Sequence, residues 1–356
     1  MNPSATAGEA PEGDGRTLPG RHISPEVQPV SETPPAPVVP RDAATIMVVR
    51  DVQSSGQDAL EVCMLRRHFD SDFVGGAYVF PGGKVDHEDR SAAAEEMCAG
   101  RSDVQASAIL EVGSGGLAFW VAAIRECFEE AGVLFAYQDC AAHDDRAAHR
   151  NCTADEDDVG SNAMVDAADP AVCRWLAALR VQVNTGGIGF LETCRARGLL
   201  LAVDRVHYFS HWVTPELAPR RYDTRFFVAA LPPGQVPLHD DHETIDTVWV
   251  RPAEALERAR AGEFDLILPT MKNLETIGRF DTSAELLRAA AAAEQVPTIV
   301  PRVVADRGGF RILLPGDLGY EEAMSSNRTP DSTYPSGSET GEIMRRIGID
   351  RRSRCR

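Results

Sequence analysis

Residues 125–133 read Arg-Glu-Cys-Phe-Glu-Glu-Ala-Gly-Val, RECFEEAGV, and follow the apolar run Leu117 to Ile124. On an α-helix Glu126, Glu129 and Glu130 stand at i, i+3 and i+4, so three carboxylates share one face while Ala122, Ala123 and Cys127 point elsewhere. Crowded carboxylates repel one another, and divalent cations between them relieve that repulsion. Oxygen ligands on a rigid helix suit Mg²⁺ or Mn²⁺ rather than zinc. Arg125, one turn before Glu129, can clamp that carboxylate and aim it. A solvated helix face with ordinary i,i+4 charge pairs would use the same residues, so the metal reading needs a second stretch. Phe80-Pro81-Gly82-Gly83-Lys84-Val85-Asp86 supplies it. This is a tight Gly-Gly turn, where backbone can approach a phosphate or offer a carbonyl to a metal.

Together the two stretches resemble the Nudix hydrolase signature: glycine, five residues, an acid, seven residues, then Arg-Glu-apolar-x-Glu-Glu-x-Gly-apolar. By position the glycine is Gly83 and the acid Asp89, and the second half is Arg125, Glu126, Cys127, Glu129, Glu130, Gly132 and Val133. Asp89 stands where the family has Glu, and about 28 extra residues separate the halves. The resemblance implies an α/β fold, the Nudix α/β/α sandwich with a mixed sheet. To this the chain adds helical insertions and disordered termini.

Further segments, Trp212-Val213-Thr214-Pro215, Arg221 to Phe226 and Leu313 to Asp317, resemble the peroxisomal coenzyme A diphosphatase branch over roughly residues 42 to 320. That likeness implies cleavage of CoA or acyl-CoA to 3′,5′-ADP and phosphopantetheine or its acyl form. Arg67 and Gly76 fall where the CoA-type pattern has Arg and Gly, whereas His68 replaces a small residue and Asp72 a second Arg. No peroxisomal tripeptide ends the sequence.

Size and composition set the bounds. The chain has 356 residues, 43% of them apolar, enough for a globular core. Residues 1–41, rich in Pro, Gly, Ser and Glu without apolar periodicity, read as disordered, and 323–356 as a disordered basic tail. The domain expected between them covers 42–322, with insertions at about 90–116 and 136–200. A net charge of −18 disfavours nucleic-acid partners, RNA-end decapping included. An anionic small-molecule substrate then needs bound cations and local Arg or Lys groups. The eight cysteines form no CxxC pair, and neither a signal-peptide core nor a membrane-length apolar run is present. These features point to reduced thiols, a cytoplasmic location and no membrane partner. They leave the oligomeric state open, a homodimer among the options.

Along the chain, Ala43 to Val49, Leu60 to Leu65 and Ala77 to Phe80 read as strands leading into the Gly-Gly turn, with a hairpin connection at 53–57. Residues 90–116 read as an inserted helix and loop that leave the Gly83 turn beside the Arg125 helix. Residues 136–170 read as a polar loop, and Ala171 to Val183 and Phe190 to Leu201 as two helices. Strands resume at Val206 to Val213, Tyr222 to Leu231 and Thr247 to Val250. Helices from Pro252, from Thr270 and near 282–294, and a hairpin over Val303 to Leu314, complete the order.

Hydrolysis of a phosphoanhydride takes a metal-polarised water, cations on the phosphate oxygens and a base within reach. Glu126, Glu129, Glu130 and the Gly83 carbonyl are the metal set, with Arg125 orienting them. The outside acid is sought among His239, Asp240, Asp241, His242 and Glu243; Glu243 is chosen, with Asp240 and Asp241 as turn caps and the histidines as loop residues. The catalytic set is therefore Glu126, Glu129, Arg125 and Glu243. Arg67, Lys84, Arg221 and Arg225 are the substrate-phosphate candidates, with Arg66 and Arg220 beside them. The alternatives are a pyrophosphatase for ADP-ribose, NADH or nucleotide-sugars, and a Nudix-like module that binds a ligand without catalysis.

Overall fold

In the computed structural model, strand β1 (Arg41–Ser54) organises the described residues, which are 38–326 apart from 55–56, 72–73, 139–162, 217, 219 and 307–308. Its side chains alternate between two cores. Ala44, Ile46 and Val48 enter one and Met47 and Val49 the other, all of them fully buried. A strand covered on both faces reads as a continuous apolar run, and the sequence AATIMVV is one. β1 joins β2 (Gln57–Arg67) antiparallel, from Val49 opposite Val62 to Ser54 opposite Gln57. Near its start it pairs instead with β4 (Gly82–Lys84), which brings Gly83 opposite Ala44. β3 (Tyr78–Val79) pairs with β2 just before that turn.

On its other edge β1 runs parallel to β9 (Tyr222–Ala230). β8 (His207–Val213) pairs antiparallel with β9, and β11 (Thr298–Ile299) parallel with β8. β10 (Thr244–Val250) closes the far edge against β2. The sheet is mixed, as expected.

Helix α3 (Leu117–Ala131) covers the Ala44-Ile46-Val48 face, burying Trp120, Ile124 and Phe128. The Trp120 indole N–H donates to the Val206 carbonyl at 2.8 Å, so the buried ring keeps its one donor satisfied. The opposite face is covered by α6 (Pro252–Arg260), α7 (Leu268–Ile277) and α8 (Ser283–Ala291) through Ala255, Leu274, Ile277, Leu286 and Ala290. The result is an α/β/α sandwich. A hairpin of β12 (Arg302–Asp306) and β13 (Gly309–Leu313) packs with α9 (Tyr320–Ser326) around Leu313, Tyr320 and Ala323.

The segment between the two signature halves contains two short helices rather than one, α1 (Ala92–Glu96) and α2 (Asp103–Ile109). Ser102 and Gln105 form a reciprocal capping box on α2. From the same helix start, Asp103 accepts the N–H groups of Gly115 and Leu117 at 2.9 and 3.0 Å. Gly116 lies so close to Ser107 that a Cβ there would fall 2.5 Å from its backbone. The excursion thus returns to its own starting point and delivers α3 beside the Gly83 turn.

Two local expectations are corrected. The polar stretch from 136 is not all loop. β5 (Ala136–Gln138) pairs with β6 (Ala163–Met164) and with β7 (Leu199–Leu201) in a small separate sheet, while 139–162 lies outside the described residues. The helix expected over Phe190 to Leu201 stops at Ala196 as α5 (Phe190–Ala196), because Gly198 takes the left-handed φ of 61° and Leu199 to Leu201 extends. The preceding α4 (Pro170–Asn184), expected over Ala171 to Val183, begins one residue earlier at a proline capped by Asp169. Of the expected disordered ends, 1–37 and 327–356 lie outside the described residues. No helix among the described residues is long and apolar enough to cross a membrane.

Candidate active site

The Gly-Gly turn and the acidic helix meet. Gly83 sits against Glu126, so a Cβ at Gly83 would lie 2.4 Å from the Glu126 carboxyl carbon. Glu130 accepts the Gly82 N–H at 2.9 Å and is 3% exposed. Glu126 and Glu129 are half-buried. Arg125 holds the cluster through every nitrogen of its guanidinium. Nε and Nη2 donate to the two oxygens of Asp89 at 3.0 and 2.9 Å, and Nη2 also to the Lys84 carbonyl at 2.9 Å. Nη1 donates to Glu126 Oε1 and Glu129 Oε2, both at 3.0 Å. Asp89 is 2% exposed and its second oxygen also accepts the Asp86 N–H. The shorter acid is therefore sufficient for a bidentate clamp at this position.

Burial, with Glu129 adding to it and Arg125 opposing it, pushes Glu126 up to about 7. Burial and then Glu126 push Glu130 up to about 8, against the Gly82 N–H. A group of carboxylates that resists ionisation in this way is a setting that a cation would stabilise. The donors are all oxygen, so in kind they fit a hard divalent ion. They are not gathered into a cage: among the described residues no three acids, histidines or cysteines stand together as a ready metal group, Arg125 occupying the space between Glu126 and Glu129.

Beside this cluster opens a cleft of about 480 Å³. Glu126, Gly82, Gly83, Lys84 and Asp86 line one end together with Arg67 and Glu243. Glu243 is brought there by β10, because its carbonyl accepts the His68 N–H at 2.8 Å and the next residue, Thr244, pairs with Arg67. Asp240 caps this turn, accepting the N–H groups of His242, Glu243 and Thr244. His239 contacts Asp241 within the same loop and Thr247 on β10. The other walls of the cleft are Trp212, Tyr222, Phe226, Ile267, Leu268 and Pro269.

Two of the expected phosphate groups do not reach the cleft. Arg225 lies on the α3 side of the sheet, 5% exposed, paired with Asp223 and stacked 5.0 Å from the Phe119 ring centroid. The strand's alternation puts Tyr222, Thr224 and Phe226 toward the cleft and Arg225 away from it. Arg221 is spent on the carbonyls of Thr214 and Val38. Its neighbour Arg220 lines the cleft in its place. Arg66 is turned to the Gly76 carbonyl and to the rings of Phe69 and Tyr78. Trp212, Tyr222 and Phe226, not assigned from sequence, could have been found as one face of paired strands once the register was known.

With the sandwich, the Gly83 turn and the Arg125-Glu126-Glu129-Glu130 helix assembled, the chain has the make-up of a Nudix hydrolase, and residues 106–277 match the family model described as the NUDT19 Nudix domain. Its relatives narrow the branch. A Gallus gallus protein named acyl-coenzyme A diphosphatase NUDT19 is 28% identical over 317 residues, 79% of this chain and 80% of that one. The Homo sapiens protein of the same name is 26% identical over 323 residues, 81% of each chain. A solved NUDIX hydrolase from Alicyclobacillus acidocaldarius is 24% identical, with a TM-score of 0.48 over 70% of this chain and 96% of that one.

Proposed function

We propose that the protein hydrolyses the diphosphate bridge of coenzyme A or acyl-CoA, releasing 3′,5′-ADP and phosphopantetheine or its acyl form. The observation that carries this reading is the meeting of Glu126 with Gly83 at one end of a cleft whose other walls include the aromatic and aliphatic side chains of Trp212, Tyr222, Phe226, Ile267 and Leu268. Similarity to proteins named acyl-coenzyme A diphosphatase along about four-fifths of the chain supports the substrate class.

In this reading Glu126, Glu129 and Glu130, with the Gly83 carbonyl, would hold Mg²⁺ or Mn²⁺. The ion supplies charge neutralisation on the diphosphate and a more acidic water. Arg125 orients Glu126 and Glu129 and carries no contact to substrate. Arg67, Lys84 and Arg220 bind the phosphate oxygens, and their charges offset the chain's −18 locally. Glu243, exposed at the same end of the cleft, takes the proton of the attacking water on its carboxylate. Trp212, Phe226, Ile267 and Leu268 exclude water around the less polar half of the substrate. Cys63, Cys98, Cys127, Cys173 and Cys194 are free thiols, which supports a reducing compartment such as the cytosol.

The test is a panel of CoA, acyl-CoA, ADP-ribose, NADH and dinucleoside polyphosphates, assayed with Mg²⁺ and with Mn²⁺. Formation of 3′,5′-ADP with a phosphopantetheine product is expected. Preferred turnover of any other substrate on the panel replaces the CoA assignment. In the same assay Glu129→Gln or Glu130→Gln is expected to lower turnover by roughly three orders of magnitude with the fold retained. Unchanged turnover in both variants removes the site.

A further inference from the structure

The C-terminal turn of α3 carries two of the proposed metal acids, and its carbonyls have no partners within the helix. Gly132 ends the helix in the left-handed conformation, φ 69°, and its N–H is spent on the Phe128 carbonyl. The next three carbonyls are taken from outside. Leu238 N–H donates to the Ala131 carbonyl at 2.9 Å. The other two are met by a side chain from α4, in the insertion that follows the signature. Arg180 Nε donates to the Glu129 carbonyl at 3.0 Å and Nη2 to the Glu130 carbonyl at 2.6 Å. Asn184, one turn on, adds a bond to the Glu129 carbonyl at 3.0 Å.

The same guanidinium also faces the opposite way. Its Nη1 donates to the carbonyls of Leu238 at 2.7 Å and His239 at 3.4 Å, in the segment that runs into the Asp240 turn and Glu243. Gly132 leaves room for this group, since a Cβ there would lie 3.1 Å from Arg180 Nη1. One planar fork therefore bridges the backbone of Glu129 and Glu130 to the backbone leading to Glu243. Arg180 does not line the cleft.

We infer that Arg180 is a positioning residue for the proposed reaction. It fixes the last turn of α3 against the 238–243 segment, so that acids from two distant parts of the chain are held in one register. This gives the α4 insertion a function: it is the outer brace of the site. Lysine, a point donor, cannot reproduce a fork that engages four carbonyls. The inference rests on the hydrolase reading, and the experiment separates the two.

Arg180→Lys and Arg180→Ala are compared with wild type in melting temperature, in kcat and KM for CoA, and in Mn²⁺ affinity by calorimetry. Arg195→Ala, which removes a surface pair with Glu96, is the control. The expected result is a folded Arg180→Lys with KM within about twofold of wild type and kcat lower by about tenfold or more, weaker Mn²⁺ binding, and partial rescue of Arg180→Ala by added guanidinium. Wild-type kcat and Mn²⁺ affinity in the folded Lys variant overturn the inference. So does a loss of activity that only tracks the unfolded fraction. If wild type cleaves nothing on the substrate panel, the functional reading fails, and Mn²⁺ binding alone decides: weaker in Arg180→Lys supports the brace, and equal affinity removes it.

Discussion

Arg125 neutralises Asp89 inside the protein and shares its remaining donors between two helix acids, so the pair couples stability to function. Asp89→Asn leaves that guanidinium facing a neutral amide in a nearly closed site. The expected cost is on the order of 3 kcal/mol in denaturant unfolding, because breaking a buried pair strands the partner's charge. Asp89→Glu, by contrast, restores the acid the family uses and is expected to keep activity within a few-fold. Gly83→Ala tests the other half of the contact. Its methyl would displace the end of the Glu126 side chain, which can move, so the fold should persist while kcat falls by roughly a hundredfold. Steady-state kinetics beside a melting curve checks both halves of that statement.

The long elements were readable because burial on one or both faces imposes their period. The β1 run, the α3 box and the helices that begin at Pro170 and Pro252 all stand where pattern and capping place them. The three-stranded sheet of β5, β6 and β7 was not readable. Its strands are two or three residues long, and the β5–β7 pairing spans more than sixty residues, so no local period announces it. Arg225 was misplaced for a related reason: its charge drew attention, but the alternation along β9 decides its side of the sheet. The acid Glu243 and the Gly83 turn were legible as residue types near strand ends; the Arg180 fork was not, since its acceptors are backbone carbonyls that the sequence does not display. Gln138 lies directly opposite Ala163 on antiparallel strands, a spacing that a short hairpin turn can join in place of residues 139–162. Replacing them with an Asn-Gly hairpin turn is expected to keep the fold and kcat within about twofold, measured by melting and CoA hydrolysis.

At the scale of the whole molecule, acid-base balance ties stability to metal. In the metal-free protein burial pushes Glu126 up to about 7 and Glu130 up to about 8, above the roughly 4.3 of an unfolded glutamate. The folded state therefore keeps protons that the unfolded state has released, and stability falls as pH rises from about 5 to 8, at most roughly 1.4 kcal/mol per pH unit for each group. Chemical unfolding at several pH values in the presence of a chelator checks the sign. Glu130→Gln should flatten the slope, and Mn²⁺ should stabilise more at pH 8 than at pH 6. The sheet carries another consequence. β1 is the first strand among the described residues, yet its parallel neighbour, β9, ends at Ala230. During synthesis that apolar ribbon waits with one edge unpaired until well over half of the chain has left the ribosome, which makes it the natural target of chaperones on the nascent protein.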